Sequence, residues 1–551
     1  MPALLSPAIA TTPAHAVLQA LRQRAEIALL DVREEALFAQ GHPLFAANLP
    51  LGRIEIEAWA RLPRRSTPIV VYDDGQGLAA RAARVLRELG YTDVLALEGG
   101  LRGWSEAGGE LFIDVNVPSK AFGEWLEAQR RTPSLSATEV KALLDAKADV
   151  VVLDARRFDE YQTMNIPGSL SVPGAELVLR ARTLAPDPAT RIIVNCAGRT
   201  RSIIGTQSLV NAGLPNPVAA LRNGTIGWLL AGQALEHGAA RRFGPVDGPA
   251  RADAAIRARA VADRAGVRRA TAADLRRFAE ESARRTTYRI DVRPPEEYAA
   301  GHVPGWRNVP GGQLVQETDH TAPVRGARIV LLDGEDTTRA DMTASWLAQM
   351  GWEAWVWDDA TDAARTEAGT PPAAAPEPAG PLNWVSPRQL AGWLGLSAGS
   401  AGRAEGQATA DAADVVVIDF TASARHVQRH IPGAWFALRS HLPEALAALP
   451  RAGRYVLTCG TGFLARYAAQ DVARATGAAV SVLEGGTEAW IAAGLPLEHG
   501  EARLASPRID RYRRPYEGTD APREAMQAYL DWEFGLVEQL ARDGTHGFSA
   551  L

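Results

Sequence analysis

The sequence predicts an α/β protein of four tandem domains, each a small parallel sheet flanked by helices, followed by a C-terminal helical tail. Three observations carry this expectation. At 551 residues the chain is too long for one hydrophobic core, since domains usually hold about 100–200 residues. One grammar of motifs recurs four times, which is the signature of a repeat architecture. Within each recurrence short apolar strands alternate with helical patterns, as parallel strands covered by helices on both faces do.

Each unit opens with an apolar strand ending in aspartate: IALLDVREE (Asp31), VVVLDARRFDEY (Asp154), TYRIDVRPPEEY (Asp291) and VVVIDFTASARHV (Asp419). A turn and second short strand follow in GHPLFAANLP, MNIPGSLSVP, GHVPGWRNVP and RHIPGAWFAL. A third strand then enters a loop and a helix, in PIVVYDDGQGL, RIIVNCAGRTRS, ARIVLLDGEDTT and RYVLTCGTGFLAR. The units close on DVLALEGGLRGW, PVAALRNGTIGW, EAWVWDDA and AVSVLEGGTEAW. This places domains at 1–112, 134–240, 267–366 and 384–500, with the tail at 501–551. Residues 241–266 read as a linker with helical parts, and the Pro/Ala-rich stretch 367–381 as a semi-extended linker. In the tail, Met526, Tyr529, Leu530, Phe534, Leu536, Val537 and Leu540 fall at helical spacing, predicting a packing helix that clamps the fourth domain or a dimer partner.

Composition narrows the function. Net charge is −5 and the basic residues are scattered among acids, so no nucleic-acid-binding face stands out. Two cysteines, Cys196 and Cys459, are too few for a disulfide framework or a thiol-rich metal site, and the histidines lack ligand spacing. No metal and no organic cofactor is expected. The N-terminal stretch lacks a basic segment and no apolar run reaches about eighteen residues, so the expectation is a cytoplasmic protein without a membrane partner. A homodimer stays open.

The strand-to-helix loops place Asp73, Cys196, Asp333 and Cys459 in register, 123, 137 and 126 residues apart. Their order suggests two pairs, each with a non-thiol first half and a thiol second half. A loop leaving a parallel strand and entering a helix gathers backbone N–H groups at the positive end of the helix dipole, which suits an anion. A cysteine opening such a loop is expected to have a lowered pKa, and in CAGRTR the Arg199 and Arg201 guanidiniums add permanent positive charge. The alternative for Cys196 is an inert buried thiol.

The four-fold grammar resembles the rhodanese (sulfurtransferase) domain, through the strand ending in DVR, the GHxPGA-like turn, the six-residue cysteine loop and the closing EGGxxGW. Pairs with a cysteine only in the second unit resemble the two-domain thiosulfate and 3-mercaptopyruvate sulfurtransferases. The resemblance implies that Cys196 takes sulfur from a small anionic donor such as thiosulfate, forms a persulfide cradled by Ala197, Gly198, Arg199, Thr200 and Arg201, and passes it to cyanide, a thiol or a protein acceptor. CGTGFL around Cys459 shares its first four residues with the mercaptopyruvate sulfurtransferase loop, then departs at Phe463 and Leu464 and has no arginine before Arg466. Cys459 is thus either a second catalytic thiol or a structural one.

Around Cys196, Asp154 and Arg156 are expected to pair and brace the loop or simply support the strand. Glu176 either reaches the pocket or is an exposed helix-start acid. Arg222, standing where other units have Glu98 and Glu484, is expected to add positive potential for an anionic donor. The competing readings are a cysteine-based phosphatase or arsenate reductase, whose loop carries arginine where this chain has Ser202, and a non-enzymatic persulfide carrier or scaffold.

Overall fold

In a computed structural model of the chain, residues 9–371, 375–378, 380–396 and 414–551 are described. The N-terminal residues 1–8, part of the 367–381 linker and part of the fourth predicted domain lie outside them. The strands form four sheets. The second holds Ser134–Leu135, Val218–Leu221, Arg191–Asn195, Val150–Asp154 and Leu170–Ser171 in that spatial order, all parallel. The third and fourth sheets repeat this order. The first does too, and it gains an antiparallel edge, Val324–Arg325, from the third repeat.

Register explains the recurring aspartate. Asp31, Asp154, Asp291 and Asp419 pair with Tyr72, Asn195, Leu332 and Thr458, each the residue just before the functional loop. Four buried carboxylates thus stand beside the loops, where a lone buried charge is costly. In three repeats the arginine two residues on neutralises it, as Arg156 does with two bonds of 2.9 and 2.7 Å to Asp154. In the fourth, Thr421 occupies that place and His426 Nδ1 lies 2.8 Å from Asp419.

Each thiol domain has a non-thiol partner, and the contact made by the turn after the second strand runs crosswise in the chain. In the Cys196 domain the turn Gly174–Glu176 meets Gly311–Gln316 of the third repeat, with Glu176 bonded to Arg339 at 3.0 Å. In the Cys459 domain the turn Arg439–His441 meets Leu51–Arg53 of the first, with Arg439 bonded to Glu55 at 2.7 Å. Glycines at the seams permit the approach: a Cβ on Gly311 would stand 2.9 Å from the Ala175 Cβ of the second repeat, and one on Gly52 would stand 3.1 Å from the Ser440 nitrogen.

The tail begins as a segment bonded to the fourth domain, through Arg503, Ala505, Ser506 and Asp510, and then forms the helix Arg523–Asp543, which leaves that domain. It packs on the helix Val117–Arg130, which joins the first and second repeats, and on the Cys196 domain. Met526, Tyr529, Leu530, Leu536 and Leu540 are buried there, while Phe534 stays exposed. Met526, Tyr529 and Leu530 join an apolar cluster with Ala197 and Ile226 of the second repeat, and Leu536 and Leu540 join the large core that holds the first. No described helix is long and apolar enough to cross a membrane.

Candidate active site

The loop after Arg191–Asn195 is shaped by what holds its carbonyls. The N-terminus of the helix Gly224–Leu230 binds them: Thr225 N–H donates to the Cys196 carbonyl and Ile226 N–H to that of Ala197, both at 3.0 Å. With carbonyls pinned outward, the loop N–H groups are left for the interior. The same device recurs at Cys459, whose carbonyl accepts from Thr487 N–H at 2.9 Å, and at Asp73, whose carbonyl accepts from Leu101 N–H at 2.9 Å.

The two aspartates reveal what this interior binds. Asp73 accepts the N–H groups of Gly75 and Ala79, each at 2.9 Å. Asp333 accepts those of Gly334, Arg339 and Ala340 at 2.7, 2.8 and 3.1 Å. In the thiol domains sulfur takes the place of the carboxylate. The N–H six residues on faces it in every repeat, from Ala79, Ser202, Arg339 and Ala465.

Cys196 is 2% exposed, and its thiol donates to Ser202 Oγ at 3.5 Å. Its pKa is raised rather than lowered: burial pushes the thiol up, and Arg201 and Ser202 only partly oppose it. The sequence-based expectation weighed the cations without the burial. Cys459 behaves alike. Burial raises it, the N–H groups of Ala465, Leu464 and Gly462 pull it back, and Asp419 adds to the rise.

The expected partners of Cys196 separate into distinct positions. Arg201 keeps 12% of its side chain exposed, is paired with Glu160 by bonds of 2.7 and 2.9 Å, and its charge acts on the thiol. Arg199 is committed elsewhere, gripping Glu124 at 2.7 and 2.9 Å and bonding Asn223 at 3.0 Å. It thereby fastens the loop to the helix Val117–Arg130. Thr200 packs against Gly123 of that helix, and Ala197 joins an apolar cluster with Tyr529 and Leu530. Gly198 lies under the tail: a Cβ there would stand 3.1 Å from Tyr529 and 3.3 Å from Glu533. Asp154 binds Arg156 and also accepts from Asn195 Nδ2 at 2.9 Å, bracing the strand end. Glu176 is buried in the seam, bonded to Arg180 at 2.6 Å and to Arg339. Arg222 is exposed and bonds Ser134 Oγ at 3.2 Å.

Several site residues are placed only by the fold. Ser202, which in sequence marks only the absence of an arginine, bonds the thiol. Glu533 is buried beside Gly198 with Oε2 unpartnered, and burial together with Glu124 pushes its carboxyl up to about 8 against the pull of Lys120. At Cys459 the positions of Glu160 and Arg201 hold Arg425 and Leu464, six residues after the strand aspartate and five after the cysteine. Arg425 Nη1 would lie 3.9 Å from a Cβ on Gly460, so the fourth repeat carries its cation on the opposite wall. Aligning the repeats position by position would have shown this exchange.

Parallel sheets whose strand-to-helix loops form anion receptors, two of them opened by a thiol, define the class. The rhodanese-like domain family matches residues 14–107, 136–231, 271–363 and 403–493. The chain belongs to the rhodanese family and is a rhodanese-type enzyme. It is similar over 98% of its length to the whole of a crystallised thiosulfate sulfurtransferase from Pseudomonas aeruginosa, at 64% identity and a TM-score of 0.93. An uncharacterised protein of Synechocystis sp. is 35% identical over 107 residues, 19% of this chain and 59% of that protein. One from Bacillus subtilis is 36% identical over 76 residues, 14% of this chain and again 59% of the relative.

Proposed function

We propose that the chain moves sulfane sulfur from a small anionic donor such as thiosulfate to cyanide, a thiol or a protein acceptor, through a persulfide on Cys196, with Cys459 as a second persulfide-forming thiol. The observation that carries the reading is the exchange of aspartate for cysteine at one loop position. Where the side chain is a carboxylate, the loop and helix N–H groups ligate its negative charge. Where it is a thiol, the same array is free to stabilise a thiolate and then the terminal sulfur of a persulfide.

After the thiol loses its proton, Cys196 Sγ attacks the outer sulfur of thiosulfate. A bond forms between the two sulfurs, the bond to the sulfonate sulfur breaks, and sulfite leaves with that electron pair. Cyanide then attacks the terminal sulfur of the persulfide, giving thiocyanate and restoring the thiolate. Ala197 to Arg201 supply the cradle, Arg201 the cationic wall and Ser202 a bond to the sulfur. Arg199, Asp154 and Arg156 position the loop. The relative named a thiosulfate sulfurtransferase supports the choice of donor.

The test is intact mass after thiosulfate treatment of wild type, Cys196→Ser and Cys459→Ser, followed by thiocyanate release with cyanide. A gain of one sulfur abolished by Cys196→Ser establishes the site, and a second gain abolished by Cys459→Ser establishes the other. Turnover of a phosphate ester with no sulfur gained would refute the reading.

A further inference from the structure

The four strand-to-helix loops are equivalent in position but not in cover. After Asp73 the residues Asp74 to Gly77 are exposed, after Asp333 Glu335 is exposed, and after Cys459 Gly460 is half-buried and Thr461 exposed. In the second repeat every residue from Cys196 to Thr200 is buried, and among the described residues this is the one loop of the four closed along that length. Loops normally lie at the surface, so another part of the chain must cover this one.

The cover is the tail, which lies outside the four matched repeats. Ala197 packs with Tyr516, Met526, Tyr529 and Leu530. A Cβ on Gly198 would stand 3.1 Å from Tyr529 and 3.3 Å from Glu533, and Glu533 is near enough for its charge to be felt by the Cys196 thiol. The Arg199 guanidinium lies over the Phe534 ring, 4.3 Å from its centroid. The start of the tail helix is tied down by Arg523, which donates to the carbonyls of Leu229 and Leu230 at 3.0 and 2.7 Å. Past the covered stretch, Arg201 keeps part of its side chain exposed. There a cavity of about 300 Å³ remains, with Arg156, Arg201, Gln316 and the tail's Arg514 and Tyr516 among its walls. That volume stands at the low end of small-molecule sites: it admits a small anion or a free thiol, not the surface of a second protein.

Sulfur transfer makes a geometric demand on the partner. To take the outer sulfur of a persulfide, the attacking atom must come within about 3–3.5 Å of it, aligned with the sulfur–sulfur bond. Cyanide or a free thiol can do so through a narrow opening. A cysteine on a folded protein brings its neighbours with it and needs the rim of the loop uncovered. We propose that the tail is a size filter, which confines Cys196 to small-molecule sulfur donors and acceptors and excludes protein-borne ones. The inference rests on the persulfide reading above and narrows its acceptors: a protein partner reaches Cys196 only if the tail helix lifts.

The test uses the full chain carrying Cys459→Ser, loaded at Cys196 with thiosulfate and then offered dithiothreitol or reduced thioredoxin. One thiolate of either dithiol takes the outer sulfur, Cys196 leaves as its thiolate, and the second thiol closes the disulfide and expels sulfide, which is the readout. Relative to dithiothreitol, thioredoxin should be at least about 100-fold slower on Cys196 than on glutathione persulfide in free solution, because a packed helix must open first. Tyr529→Ala, which removes the ring over Gly198, should recover at least about tenfold of that deficit, and Arg523→Ala, at the exposed start of the helix, about fivefold. Both should leave the dithiothreitol rate within about twofold, with hydrogen exchange showing the tail helix loosened. Equal relative rates on the two persulfides overturn the proposal, as does a deficit that neither variant changes once the helix is loosened. Alkylation judges the filter without sulfur. Attaching iodoacetamide to a polyethylene-glycol chain should slow its reaction with Cys196 at least about tenfold more than with Cys459 in the Cys196→Ser chain, and equal slowing overturns the filter. No sulfur on Cys196 from thiosulfate, with the alkylation contrast intact, overturns the persulfide reading and spares the filter.

Discussion

A single methyl group placed behind the cysteine loop should disable one thiol and spare the other. Gly224 has φ +54°, and a Cβ on it would stand 2.4 Å from the Cys196 carbonyl oxygen and 2.7 Å from that of Gly198. Real Cβ contacts do not fall below 3.0 Å, so Gly224→Ala drives the loop backbone away by more than about half an ångström. The left-handed conformation costs an alanine about 1–2 kcal/mol and the overpacking about 1–3 kcal/mol. The sum, about 2–5 kcal/mol, lies at or below the 5–15 kcal/mol that typically holds a domain together. The domain should stay folded with a lower melting temperature and a displaced loop. Because a misplacement near 1 Å costs roughly 10²-fold in rate, sulfur loading of Cys196 should fall about 10- to 100-fold while Cys459 is unaffected. Gly486→Ala is the mirror test, since its Cβ would stand 2.2 Å from the Cys459 carbonyl oxygen and 2.3 Å from the Gly462 nitrogen. Intact mass and calorimetric melting measure both effects. If Gly224→Ala leaves loading and melting unchanged, the carbonyl-pinning account of the loop is wrong.

Arg201→Met removes the cation whose charge acts on Cys196, so the thiol pKa should rise and thiosulfate loading fall at least about tenfold; Arg222→Ala, at an exposed guanidinium bonded to Ser134, should change loading less than about twofold. Titration of thiol reactivity against pH distinguishes the two. Asp333→Ala strips the partner from three N–H groups and from Arg339 Nε at 2.8 Å, and breaking such a buried pair should cost about 3–5 kcal/mol by denaturant unfolding. Glu533 has a carboxyl pushed from 4.5 up to about 8, so the folded chain holds that proton more tightly than the unfolded one. Its contribution to stability is complete below about pH 4.5 and is lost as pH rises through about 8. Glu533→Gln should therefore melt progressively higher than wild type as pH rises through that window, and parallel melting curves would contradict the assignment.

The sequence by itself determined the repeat, its strand and loop order, and the loop position where aspartate and cysteine alternate. These follow from local pattern: apolar runs bounded by turns fix strands, and a residue between strand and helix is placed by its neighbours along the chain. The strand aspartates were legible for the same reason, and their arginines sit two residues away. Only the tertiary structure decided which arginine meets the thiol. Arg199 and Arg201 look equivalent in sequence, but one stands just before the helix Thr200–Asn211 and turns toward Glu124, while the other lies in its first turn and meets Glu160. It also decided that the tail covers the Cys196 loop, that the third repeat lends a strand to the first, and that non-thiol domains wall the thiol domains crosswise. These outcomes depend on complementary surfaces hundreds of residues apart, and burial at them raises the thiol pKa that local charge alone would have lowered. Local periodicity carries the first kind of information; the second exists only once the domains have packed.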